Sequence, residues 1–181
     1  MKHNAAVLGL ILLLSTLGLA QSQASPYAGQ EERAVKALSA EEVRGYLAGE
    51  GMGLAKAAEL NHYPGPKHVL AMSAELKLSP EQQKHTREIF ARMQRQASEL
   101  GRKVIEKESE LDRAFSGGQA EEAAVSALTL EIGELMGRLR HAHLRAHLEM
   151  RTVLSPTQVE AYDRLRGYTA GEHQHNPAHK N

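Results

Sequence analysis

Apolar residues return every three or four positions through two long stretches of the chain, with polar residues filling the spaces between. In the first stretch Phe90, Met93, Ala97, Leu100, Val104, Leu111 and Phe115 fall on one face at about 100° per residue, and Glu108 interrupts the line. This pattern predicts a single helix from Pro80 to about Phe115. In the second, Val125, Leu128, Ile132, Leu135, Met136, Leu139, His143, Met150 and Leu154 form the main stripe, which predicts a helix from about Ala120 to Val153. Ser116-Gly117-Gly118 turns the chain between them. The expected fold is all-α, a long antiparallel helical hairpin with short flanking helices. A thinner apolar line, Leu130, Leu144 and Leu148, runs down another side of the return helix. It calls for a second contact, met either by the short N-terminal helices or by a second subunit or client protein.

The ends of these elements are written locally. Leu78-Ser79-Pro80-Glu81-Gln82 and Leu154-Ser155-Pro156-Thr157-Gln158 are near copies that bracket the hairpin. In each, Ser is a helix cap, Pro takes the first helical position, and Gln sits where its side chain can reach back to the cap backbone. The second copy opens a last helix reaching about Gly167. Upstream, Ser39-Ala40-Glu41-Glu42 is a capping pattern for a short helix that breaks near Gly49–Gly53. A second short helix follows over roughly Leu54–Leu60, then a turn over Asn61–Pro66, then a helix over Lys67–Lys77 with Val69, Leu70, Met72 and Leu76 on its apolar side.

Composition narrows the function classes. Aromatics are 4% and there is no Trp, which suits thin helical layers. Lys and Arg balance Asp and Glu at 22 each, so no charge argument favours nucleic acid as a partner. Residues 1–24 carry Lys2, an apolar run over Ala5–Ala20 and small residues at Ser22 and Ala24, the pattern of a cleaved export signal with the cut near Ala24 or Ala20. A periplasmic location is therefore expected. A flexible leader is expected over 25–38, a helical domain over 39–168, and a disordered polar tail over 169–181 holding His173, His175 and His179. With no Cys in the chain, a metal site must draw on His, Met, Asp or Glu.

The ten histidines are the informative residues. His143, His147 and Met150 lie within about 60° of one helical face, a spacing at which two imidazoles can share one ion. His68 and Met72 form a similar pair one helix earlier, and His62 sits in the turn before it. Imidazole with thioether suits Zn, Ni, Co or Cu without choosing among them. Equally, His143 and Met150 lie in the apolar stripe, where they would serve as core residues. No nucleophile–base arrangement or phosphate loop is visible, so the chain is not expected to be an enzyme, and no cofactor is required.

An export signal, an all-helical body, no Cys and two copies of a Leu-Thr-x-x-Gln-like motif, here with Ser79 and Ser155 in the Thr place, resemble the Spy/CpxP-like periplasmic proteins over about residues 66–168. That resemblance implies a cradle-like homodimer. It implies either an ATP-independent chaperone that binds unfolded envelope proteins or a regulator of a membrane-bound signalling partner. Members of the CnrX and ZraP types bind nickel, cobalt or zinc, and His68/Met72 and His147/Met150 fall near the places where CnrX-type ligands stand. Met72 replaces a His there, and His147 is three rather than four residues before Met150. The first expectation is a chaperone-like stress protein with Leu130, Leu144 and Leu148 as its client surface. The second is a metal sensor or buffer using His68, Met72, His143, His147 and Met150.

Overall fold

A computed structural model describes residues 24–118 and 120–168. The segment expected as an export signal, as far as Gln23, and the His-rich tail after Tyr168 lie outside the described residues. Ser25–Gln30 forms two turns closed by Ala28 N–H to the Ser25 carbonyl and Gln30 N–H to the Tyr27 carbonyl, each 3.0 Å. From Glu32 onward the chain is a separate compact unit, and its described residues form six helices: α1 (Ala40–Ala48), α2 (Lys56–Glu59), α3 (Pro66–Ala71), α4 (Pro80–Ser116), α5 (Glu122–Val153) and α6 (Pro156–Arg166). Among the described residues no helix is long and apolar enough to cross a membrane.

The hairpin of α4 and α5 is the framework, and cross-links between the two helices fix its antiparallel register. Gln82 meets Val153 at 2.9 Å, Arg145 reaches Gln96 at 3.1 Å, and Lys107 pairs with Glu131 at 3.1 Å. Arg92 pairs with Glu149 between the first two. Met93, Ala97, Leu100 and Val104 of α4 are buried, as are Leu135, Leu139, Ala142, Ala146 and Met150 of α5. The expected α4 stripe is not covered to its end: Leu111 is half-buried and Phe115 is exposed. Among the described residues, α1 and α3 pack against α4 and α2 and α3 against α5, with α1 meeting α4 at Gln94 and Gly101, well short of Phe115. Leu130 and Leu148 are likewise exposed and Leu144 half-buried, so the chain's own described elements do not cover the thinner line.

Two stretches depart from the sequence expectation. Val35 and Leu38, in the segment expected as a flexible leader, are buried in the core, where two apolar side chains three positions apart anchor the approach to α1. The helix expected over Lys67–Lys77 stops at Ala71, and Lys77 takes a left-handed φ of 50°. Leu76 and Leu78 are both buried. Two positions apart on a helix they would point about 200° away from each other, so the chain leaves the helix to bury both.

The twin motifs do more than start helices. Both have the full capping box, with Ser79 and Ser155 accepting from the backbone N–H of Gln82 and Gln158. The same two glutamines then bond each other, amide to amide, at 2.8 and 3.0 Å. Gln82 also donates to the Val153 carbonyl, and Gln158 donates to the Leu76 carbonyl at 3.1 Å. Each glutamine therefore caps its own helix and clasps the other, which closes the base of the hairpin.

α1 lies directly on the α4 backbone, and Gly101 permits it. A Cβ at Gly101 would stand 2.5 Å from the Tyr46 carbonyl oxygen and 2.8 Å from the Tyr46 Cβ. Ordinarily a helix-interior Gly→Ala change stabilises by about 0.5–1 kcal/mol. Gly101→Ala should instead destabilise by about 1–3 kcal/mol in thermal unfolding, because backbone must move. Gly133→Ala and Gly137→Ala, where a Cβ meets nothing within 4 Å, should give the ordinary stabilisation; a stabilised Gly101→Ala would mean α1 is not held against α4.

Candidate functional site

Between the Gly49–Ala55 loop, α2, the start of α3 and the hairpin lies a cavity of about 560 Å³. Its wall includes His68, His143, His147, Glu59, Met93 and Arg166. Three histidines from two helices distant in sequence thus face one space. Met72 and Met150 are not in that wall: Met150 is fully buried in the core and Met72 packs against the core from α3. His62 is also elsewhere, with its Nδ1 2.8 Å from the Asp163 carboxylate.

Each imidazole is set differently. The Nδ1 of His147 lies 2.7 Å from the Tyr63 carbonyl oxygen. A carbonyl only accepts, so Nδ1 carries a proton and, in the neutral tautomer this selects, the lone pair is on Nε2. Gly65 keeps the space in front of that ring open, since a Cβ there would sit 2.9 Å from Cε1 and 3.2 Å from Nε2. His143 is 4% exposed and its Nε2 is buried with no hydrogen-bond partner. Its Nδ1 faces Gly51 on the loop, 3.9 Å from where a Cβ would be. Burial, with a smaller contribution from neighbouring His147, pushes the His143 imidazole below its ordinary pKa. Burial, then the charge of Arg166, does the same to His68. Both rings are thereby held in the neutral form that ligates metal.

Glu59 supplies the carboxylate. Its Oε1 accepts from Tyr162 at 2.6 Å, Tyr168 at 3.0 Å and Arg166 at 3.2 Å. Its Oε2 takes no such bond and lies 3.7 Å from the His147 Nδ1 and 3.3 Å from a Cβ on Gly65. Tyr162 in turn receives the Gly65 N–H at 3.2 Å. Burial, reinforced by the adjacent Glu59 carboxylate, raises the phenol far above its ordinary pKa, so Tyr162 stays a donor to Glu59. Sequence reasoning missed Glu59, Tyr162, Arg166 and Tyr168. Glu59 sits in a four-residue helix far in sequence from His143 and His147, and only its bonds to Tyr162 and Arg166 of α6 reveal its role.

The donors fit a borderline transition metal: an orphaned buried imidazole nitrogen, a second imidazole oriented by a backbone carbonyl, a third held neutral, and a carboxylate with one oxygen unbonded. They face one cavity without being closed on a point. Among the described residues no group of three or more His, Asp or Glu side chains is placed so that it could by itself hold an ion.

Comparison with curated proteins and with solved structures gave no match. A family model for heavy-metal resistance matches residues 47–161, more than half of the chain, and that span includes Glu59, His68, His143 and His147. The chain belongs to the heavy-metal resistance family.

Proposed function

We propose that this protein binds a divalent transition metal in the cavity between the hairpin and the short helices, and acts in heavy-metal resistance as a sensor or buffer. The observation that carries this reading is the His143–His147 pair, buried on α5 with unpartnered or lone-pair nitrogens beside Glu59 and His68. The family membership supports it over the chaperone reading favoured from the sequence. His143, His147 and His68 are the proposed ligands, with Glu59 as the carboxylate. Met72 and Met150, expected as ligands, take core-packing roles in this reading. The exposed Leu130 and Leu148 are assigned to contact with a second copy of the chain rather than to an unfolded client. The likeness of its helical body to the Spy/CpxP and CnrX types, and the export-signal pattern at its start, support a periplasmic setting. A membrane-bound signalling partner would read the metal-bound state.

The test is calorimetric titration with nickel, cobalt, copper and zinc, on the full chain carrying His173→Ala, His175→Ala and His179→Ala so that tail imidazoles do not contribute. One ion per chain is expected. Protons compete with metal for imidazole, and the folded pKa values of His68 and His143 lie below the ordinary 6.5. Proton competition at these two ligands should therefore set in only at pH below about 6.5. The metal-free fold should weaken over that same acidic range, because the unfolded chain takes up protons first. Loss of all binding on removal of the tail imidazoles would place the metal there and overturn this reading.

A further inference from the structure

We infer that the species this cavity takes is an anionic chelate, a divalent metal already wrapped in a small polycarboxylate, rather than a bare hydrated ion; this rests on the metal-binding reading above. Three observations lead there. The first is size: the cavity holds about 560 Å³, far beyond the ~30 Å³ share of each water in an ion's shell, and is in the range of small-molecule sites.

The second is charge. Lys56, Lys67 and Arg166 line the cavity against only Glu50 and Glu59. Arg166 already lies 3.2 Å from the Glu59 carboxylate and offsets much of its charge. A bare dication on neutral imidazoles would therefore stand in a wall that is already net positive. A chelate that brings its own carboxylates removes that excess and gives the lysines partners.

The third is the donor set. The imidazoles supply nitrogen, and no protein cluster of three His, Asp or Glu closes around an ion among the described residues. Oxygen donors from a chelator complete such a sphere. A plain oxyanion fits less well, because a neutral imidazole offers a single N–H and a lone pair that repels it.

The experiment is equilibrium dialysis of the full chain, with the three tail histidines replaced by alanine, against nickel(II), against radiolabelled citrate, and against the preformed one-to-one nickel–citrate complex. Nickel and citrate should be retained together, one of each per chain, and citrate should not be retained without nickel. Lys56→Ala combined with Lys67→Ala should weaken retention of the complex about tenfold, while nickel-only binding should stay the same or tighten as the wall loses positive charge. Nickel retained equally well with and without citrate, or displaced by citrate in simple competition, overturns the chelate and leaves the metal site standing. Citrate retained without nickel overturns it in favour of an anion site. Retention of neither sinks both this inference and the metal reading.

Discussion

Replacing His143 and His147 together by alanine should lower metal affinity by about a hundredfold or more, with helix content intact. These two side chains are the best-prepared donors in the cavity. His147 is oriented by the Tyr63 carbonyl, and His143 carries a buried Nε2 with no partner. A buried polar atom without a partner costs stability unless a ligand repays it, so its presence is better explained by an ion than by packing. The core alternative makes the opposite forecast: truncation would destabilise the fold through a cavity while metal affinity stayed where it was. Gly65→Ala separates the two without touching a donor. Its new Cβ would lie 2.9 Å from the His147 Cε1 and close the approach to Nε2. Affinity should drop by at least about tenfold in this variant. Unchanged titration of both variants would remove the pocket as the metal site.

What could be read in the chain and what could not divide along a physical line. Local information was legible. The three capping boxes at Ser39, Ser79 and Ser155 form as written, and α4 runs over Pro80–Ser116, within a residue of its periodicity. Helix starts depend on side chains within one turn, so the sequence carries them directly. The pairing of His143 with His147 was visible for the same reason, since both lie on one helix. What escaped was set by packing between distant elements. Met150 has ligand spacing but points into the core, and Met72 ends α3 instead of continuing it. Glu59 gains its place only because α6 brings Tyr162 and Arg166 to it across about a hundred residues of chain. The end of the α4 stripe also misled, because periodicity reports which face is apolar and not how far along the helix a neighbour extends to cover it.

The second large effect is expected at the base of the hairpin, where Gln82→Glu should destabilise the fold by about 2–3 kcal/mol and lower the melting temperature by roughly 5–10 °C. The change is nearly isosteric and keeps the acceptor that takes the Ser79 N–H at 3.0 Å. A carboxylate at a helix N-terminus is favourable, so if the motif were only a helix start, this variant would be neutral or slightly more stable. The tertiary clasp requires the opposite. Gln82 donates through Nε2 to the Val153 carbonyl at 2.9 Å and to the Gln158 amide oxygen at 2.8 Å. A carboxylate has no proton to give, and it faces two oxygens across those distances. Ionisation is then disfavoured in the folded state, and the folded pKa of the new Glu rises above its unfolded value near ~4.3. Protonation restores a donor, so the deficit relative to the parent should shrink as pH falls through the raised folded pKa toward the unfolded one. Gln158→Glu should behave alike, having lost its donation to Leu76. The two changes combined should cost less than their sum, because each alone already breaks the shared amide pair. Additive losses, or a stabilised single variant, would mean that the two motifs cap their helices independently and that the hairpin base is held by burial of Leu78 and Leu154 alone.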